Sequence, residues 1–450
     1  MNENTNYNEI IEMINNNRYF DVRKELLDMN VVDIANLFES IPKEKYLITF
    51  RILPKNIAAD VFSYLSVDQE KYIIESISDK ELSFIANELY IDDLVDVIEE
   101  MPANIVHKML QLTNESTRKQ INQILTYPEN SAGSLMTVEY VEFKKNMTVK
   151  SAITHIKKIG VDKETIDTCY VIDGNRKLEG IVSIRKLILS DDGVLIEDIM
   201  NTNIIALNTF DDQEKIAAIF KKYDFITMPV VDNDNRLVGI ITIDDIVDII
   251  DRENTEDFHK MAAIEPIEYE YLKTGIFTLA KKRIVWLFVL MLSATFAGSV
   301  IRRFEDVLQQ AVMLAAFIPM IMGTGGNAGS QSSTLIIRGL AMGEIALNDL
   351  LKVIWKELRV SFVVGLVLAA ANFLRLHFIE KTPVSLSIAV CSSLLITVMI
   401  AKILGGILPI IAKKIKLDPA IMAAPIITTI VDGTSLFIYF TAATLILGLK

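Results

Sequence analysis

An acid set deep within an apolar stretch is the residue of this chain with the clearest chemical implication. Asp432 stands twelve residues after Ala420 in the segment LDPAIMAAPIITTIVDGTSLFIYF. An ionised carboxylate in hydrocarbon is costly, so it normally faces water, a charged partner or a passing ion. Thr428 at i−4 and Ala424 at i−8 share its helical face, with Thr429 at i−3. A carboxylate among hydroxyls and small residues, with no Cys or His, suits a hard, partly hydrated divalent cation. Composition leaves Mg²⁺, Mn²⁺ and Ca²⁺ unseparated. One Asp per chain supplies little charge, so two copies facing each other across an axis are expected. The plainer alternative is a structural carboxylate paired with Lys402 or a neighbouring hydroxyl. Pro425 is expected to loosen the helix near Ile421 and free its carbonyls.

A second constellation is IPMIMGTGGNAGSQSSTLIIRG, which sets Pro319, Gly323, Gly325, Gly326, Asn327, Gly329, Ser330 and Gln331 at membrane depth. Glycines here permit either close helix approach or a break that turns carbonyls toward a cavity. Two readings stand together: a small-residue helix interface, and a pathway lined by Asn327, Gly325 and Gly326. A third constellation is acidic. From Thr242 the run TIDDIVDIIDRENTEDFHKMAAIEP repeats Asp245, Asp248, Glu253, Glu256 and Asp257 at helical spacing. Against another acidic face these groups would repel unless cations neutralise them. Cation binding would then draw domains together, and depletion would let them part.

The elements that must hold these groups divide the chain in two. Of 58 acids and 45 bases, eight acids and 17 bases lie from Tyr271 to Lys450, so residues 1–270 carry a balance of −22. That field attracts cations and excludes a nucleic-acid role. Cys169 and Cys391 are far apart, and the four histidines lack ligand spacing, which argues against disulfide and zinc chemistry. No nucleophile–base set or phosphate loop supports an enzyme. Five stretches are apolar enough to span a bilayer: roughly 284–301, 311–337, 360–374, 387–411 and 420–447. Lys and Arg flanking them favour an N-terminus inside and a C-terminus outside. The start MNENTNYNEI has no signal-peptide character, so the acidic half is expected in the cytoplasm.

Within residues 130–255, CYVIDGNRKLEGIVSIRKLI from Cys169 repeats as MPVVDNDNRLVGIITIDDIV from Met228, at an offset of 59. Each copy reads as helix, strand, turn, strand, helix. The pair resembles a tandem CBS domain, a module whose members often bind adenine nucleotides with a Ser/Thr-x-x-Asp on the ribose. Thr242 and Asp245 keep that pattern; in the first copy Lys186 replaces the Asp, leaving at most one intact site. Residues 1–127 repeat short amphipathic helices closed by Pro, as in DIANLFESIP and DLVDVIEEMP, which predicts a helical superhelix. The expected fold is a multi-domain membrane protein: an α-helical superhelix over 1–129, an α/β tandem CBS domain over 130–255, a connecting helix within 256–282 running from Glu268 to Lys282, and an all-α transmembrane domain of five helices over 283–450.

That order, with PMIMGTGGNAGSQSSTLIIR and LDPAIMAAPIITTIVDGTSLFIYF, resembles the MgtE family of magnesium channels. The resemblance covers essentially the whole chain. It implies a plasma-membrane homodimer with a central pore along the second and fifth spans, closed when Mg²⁺ is abundant. It puts Asp432 on the pore aspartate, with Thr428 and Ala424 one and two turns away and Asp418 at the cytoplasmic mouth. For regulatory cations it implies Asp60, Asp92, Asp96, Glu214, Asp224, Asp245, Asp248, Glu253, Glu256 and Asp257. Mn²⁺ and Co²⁺ are further candidate ions. ATP at the CBS pair is implied for some members, which would make Tyr170 an adenine-side residue. The competing readings are a carrier coupled to Na⁺ or H⁺ and a membrane-anchored receptor. A single deep acid and the lack of repeated halves favour the channel.

Overall fold

The computed structural model describes residues 3–267, 271–272, 274–422 and 424–449. The chain forms two compact units, Met1–Ile249 and Ile250–Lys450.

The first unit opens with short helices whose ends are written into the sequence. Lys55–Phe62 (α1) follows Pro54, which holds extended φ/ψ ahead of the first turn. Val67–Ser76 (α2) begins at a capping box between Ser66 and Gln69. Ile91–Glu100 (α3) buries Ile91, Leu94, Val95 and Ile98 at i, i+3, i+4 and i+7. Val97 is buried too, and Asp92, Asp93, Asp96, Glu99 and Glu100 occupy the other five positions of the same helix. The acidic face is thus the necessary counterpart of the apolar one.

The internal repeat folds as two three-stranded sheets. In the first, Glu142–Phe143 (β1) runs parallel to Thr168–Ile172 (β2), which pairs antiparallel with Leu178–Ser183 (β3). Between β1 and β2 runs helix Val149–Ile159 (α4). Leu207–Asn208 (β4), Thr227–Val231 (β5) and Leu237–Thr242 (β6) repeat that order. Helix Gln213–Tyr223 (α5) precedes β5. Both hairpins turn on the same device. Asp173 Oδ1 accepts from the Asn175 and Lys177 amides at 2.7 and 2.8 Å, and Asp232 Oδ1 accepts from Asp234 and Arg236 at 2.9 and 2.8 Å. Arg176 and Asn235, 59 positions apart, both adopt positive φ. The two-residue strands β1 and β4 carry too little pattern to be read from sequence.

After β6 the chain enters Ile243–Met261 (α6). The expected helix from Glu268 to Lys282 is corrected. Residues 264–267 are not helical, residues 268–270 and 273 lie outside the described residues, and the next helix begins at Ile276 behind Gly275.

Among the described residues, five helices of the second unit are long and apolar enough to cross a membrane. Their membrane-length segments are Ile276–Arg303, Val312–Ala341, Leu347–Ile379, Val384–Lys414 and Pro419–Leu447. Their α-helical cores are Ile276–Arg303 (α7), Ile318–Ala341 (α8), Leu350–Leu374 (α9), Val384–Lys414 (α10) and Ala424–Leu447 (α11). Two expectations change. The third span begins well before residue 360, because Lys352, Lys356, Glu357 and Arg359 belong to the helix rather than to a flank. Pro425 is the second residue of α11, where its missing N–H costs nothing, so it starts the helix rather than loosening it.

Candidate cation pathway and acidic face

Helix α8 passes through its glycines without a break, and they act by close approach. A Cβ on Gly326 would lie 2.6 Å from Thr428 Cγ2, and one on Gly329 would lie 2.7 Å from Ile427. On Gly325 it would meet Thr397 and Val431 at 2.8 and 2.9 Å. Across the helix, a Cβ on Gly405 would sit 2.2 Å from the Gly329 carbonyl oxygen. Helix α8 is thus wedged between α10 and α11. Gly325 and Gly326 are buried in that packing, while Gly323, Asn327 and Gln331, spaced four residues apart, form an exposed stripe on one chain. The two sequence readings fall on two faces: small residues pack, and the polar residues are left uncovered.

Asp432 is half-buried on α11, and its Oδ1 is a buried atom with no hydrogen-bond partner. The pairing with Lys402 is not formed; the Lys402 ammonium donates to Ser332 Oγ at 3.5 Å. The Thr429 hydroxyl donates to its own helix at Pro425 O, 3.0 Å away. Ala424 is the first residue of α11, and its side chain lies outside the described residues. Below it, Asp418 accepts the Ala420 amide at 2.8 Å and the Lys260 ammonium at 2.7 Å. Lys260 also pairs with Glu256 one turn back on α6. The two carboxylates hold the ammonium in its charged form and raise its pKa against the opposing cost of burial.

The premise of a single deep acid is corrected as well. Glu357 of α9 is 8% exposed and accepts from Ser332 Oγ at 2.6 Å. Sequence reading placed it in a flank because the basic residues around it masked the start of the helix.

In the first unit, α3 faces a dense set of acids. Burial pushes the Asp92 carboxyl well above the carboxylate range, and Asp245 and Asp93 push it further. Asp93 rises to about 6 through burial and through Asp96 and Asp244; Asp245 rises to about 7 through burial and Asp244. Asp60 is raised by burial. Glu164 was missed by the sequence reading, since nothing marks one acid in the loop VDKETIDT. Burial, Asp244 and Asp245 carry it to about 8, and its buried Oε2 has no partner. Glu70 of α2 was missed too; it is 4% exposed and is raised to about 8 by burial and by Glu100, Asp93 and Asp96. The Tyr64 hydroxyl is raised by burial first, then by Asp93, Asp244 and Asp248. Glu214 and the left-handed Asp224 lie at opposite ends of α5 and are both exposed. Glu253 and Asp257 sit on α6. Among the described residues no three His, Cys, Asp or Glu side chains converge as a preformed metal site. The Thr242 hydroxyl donates to Asp245 at 3.0 Å, and Tyr170 is fully buried with its hydroxyl 3.1 Å from Thr227 Oγ1.

Three family profiles tile the chain. Residues 29–130 match the MgtE intracellular N domain, 132–191 and 196–252 match CBS domains, and 318–442 match the profile described as a divalent cation transporter. The chain is 35% identical over 430 residues to the magnesium transporter MgtE of Thermus thermophilus, covering 95% of both chains. The chain belongs to the MgtE family. The MgtE of Bacillus subtilis is 33% identical over 447 residues, 98% of each chain. The crystal structure of the soluble part of a magnesium transporter superposes with a TM-score of 0.52 at 31% identity, covering 56% of this chain and 98% of that one. The MgtE assignment makes this chain a transporter rather than an enzyme, with an N domain, a CBS pair and five candidate membrane helices.

Proposed function

We propose that this chain is a Mg²⁺ channel of the plasma membrane, with its N domain and CBS pair in the cytoplasm and its C-terminus outside. Two copies line the pathway with α8 and α11, and Mg²⁺ binding to the cytoplasmic acids closes it. One observation carries the reading: the buried, unpartnered Oδ1 of Asp432 in the middle of an apolar helix. A carboxylate oxygen in that state is stabilised by an ion or its water shell, because the protein offers nothing else. The exposed stripe of Gly323, Asn327 and Gln331 supports a second copy, since polar side chains facing lipid would go unsatisfied. Thr428, Ala424 and Asp418 continue the pathway toward the cytoplasm.

The acids of α3 and α6, with Asp60, Glu214 and Asp224, supply the brake. Their mutual repulsion is the energy that bound cations would remove. Mn²⁺ and Co²⁺ share the oxygen-ligand preference and are secondary substrates. One ATP site at the CBS pair is a separate part of the proposal, supported by the Thr242–Asp245 pair. Titration calorimetry without ATP heats would remove it.

The test is flux into proteoliposomes loaded with a Mg²⁺-reporting dye. Asp432→Asn should abolish uptake while leaving the dimer intact; wild-type uptake by that variant would end the pathway reading. A second reading, a carrier coupled to Na⁺ or H⁺, gains from Glu357 and Lys402, two ionisable groups buried in the membrane unit. Flux driven by voltage alone, with no Na⁺ or H⁺ gradient, separates channel from carrier.

A further inference from the structure

The most unusual polar group of the second unit lies behind the pathway helices. The Lys402 ammonium of α10 donates to Ser332 Oγ at 3.5 Å, and the Ser332 hydroxyl donates onward to Glu357 Oε2 of α9 at 2.6 Å. The three residues are 5%, 1% and 8% exposed. Each helix contributes one member, so a single hydroxyl on α8 mediates between a buried cation and a buried anion. The backbones are held unusually close here. Gly405 leaves no room for a Cβ beside the Gly329 carbonyl, and a Cβ on Gly406 would touch Glu357 Cγ at 3.2 Å.

The neighbouring residue on α8 reaches the other way. The Ser333 hydroxyl donates to the Met422 carbonyl at 2.6 Å, just ahead of α11. One turn or two above, Gly329 and Gly326 receive Ile427 and Thr428. Any rotation or slide of α8 that loosened Ser332 from its charges would move the seats of Thr428 and the turn below Asp432.

Two buried charges are an expensive way to join helices, and apolar residues of similar size would stabilise the contact at least as well. What two buried charges bridged by one hydroxyl can supply is a preferred register, because a shift takes each charge away from the Ser332 hydroxyl. We propose that Glu357 and Lys402, joined through Ser332, are positioning residues that hold α8 in the register the cation pathway requires. The proposal rests on the reading of Asp432 and Thr428 as pathway residues.

Water can reach the network. A cleft of about 550 Å³ is walled by Glu357 together with Glu344, Asp349, Lys352 and Lys356. Lys352 is engaged with Asp349 at 2.7 Å. Among the described residues that line this cleft, the titratable ones beside Glu357 are those four, and Lys402 reaches it through the Ser332 hydroxyl.

The experiment uses the full chain in proteoliposomes, with Mg²⁺ flux measured from pH 6 to 9. Lys402→Met strands the Glu357 carboxylate, so its flux should fall roughly tenfold at high pH and recover as pH drops and the carboxyl takes a proton. Glu357→Gln strands the ammonium, so its flux should fall similarly and recover as pH rises. The double variant Glu357→Gln/Lys402→Met should regain most of the flux with the wild-type pH profile. Mg²⁺ concentration at half-maximal flux should stay within about twofold throughout, since neither group touches the ion. Single variants with wild-type pH profiles, or a double variant no better than the worse single, would overturn the proposal. Asp432→Asn measured in parallel keeps the two ideas apart. Normal flux there defeats the pathway reading, whereas its loss with unresponsive network variants defeats only the positioning role.

Discussion

The Lys260 ammonium lies 2.7 Å from the Asp418 carboxylate, on the residue that the family resemblance sets at the cytoplasmic mouth. A tethered cation thus engages a carboxylate that the proposed pathway offers to a divalent ion, and Glu256 shares it. Removing the ammonium leaves two carboxylates with one charge fewer to offset them. If the proposed Mg²⁺ brake operates, Lys260→Met should therefore lower the Mg²⁺ concentration that half-inhibits flux by about two- to fivefold, the scale of a partly exposed ion pair. Flux against internal Mg²⁺ measures this, and an unshifted midpoint would show that Lys260 does not compete.

Protons and Mg²⁺ should substitute for one another on α3. Burial and repulsion raise Asp93 to about 6, Asp245 to about 7, and Glu70 and Glu164 to about 8. A raised carboxyl favours the folded state at low pH, and that contribution is lost as pH climbs from about 4 through the folded value. Without cations, the protection factors of the α3 amides, exchange rates corrected for the intrinsic pH dependence, should accordingly be higher at pH 6 than at pH 8.5. Adding Mg²⁺ at pH 8.5 should restore protection while having little effect at pH 6. Equal protection at both pH values would show that the acids are not under strain.

Glu164 offers a sharper version. Its buried Oε2 has no partner, and its charge faces Asp244 and Asp245. At pH 8.5, where the Glu164 carboxyl is largely ionised, Glu164→Gln removes one repelling charge without changing shape. The cation-free protein should then melt higher, by about 1–2 kcal/mol of stability, and the gain on adding Mg²⁺ should shrink. A lower melting temperature would assign Glu164 a structural partner instead.

Two glycines on the same helix interface should fail differently. An added Cβ at Gly405 meets the Gly329 carbonyl oxygen, which cannot rotate away, so Gly405→Ala should destabilise by about 1–3 kcal/mol or prevent assembly. At Gly326 it meets only the Thr428 methyl group. Gly326→Ala should preserve thermal stability within about 1 kcal/mol yet cut flux, because Thr428 must turn. Thermal melts beside flux would separate the two.

Helix α6, which the proposed function makes part of the brake, gives the last test. Asp248 and Glu253 lie on α6 five residues apart, and neutralising both as Asp248→Asn/Glu253→Gln should move closure to higher Mg²⁺. An unchanged midpoint would locate the brake on other acids.

Sequence alone determined much of this. A helical period closed by Pro marked the N-domain helices, an offset of 59 marked the repeated sheets, and five apolar stretches marked the membrane unit. Asp432 was legible because a charge in an apolar run stands out against its neighbours. These are local signals, carried by adjacent residues. Tertiary structure decided what depends on neighbours distant in the chain. Glu357 looked like part of a basic flank until α8 and α10 closed over it. Glu164 and Glu70 looked like ordinary surface acids until burial and converging charge raised them. The glycines of α8 could have broken the helix or packed it, and only the Gly405–Gly329 approach chose packing. A side chain's type is fixed by sequence, but its dielectric surroundings and its partners are fixed only when the helices meet.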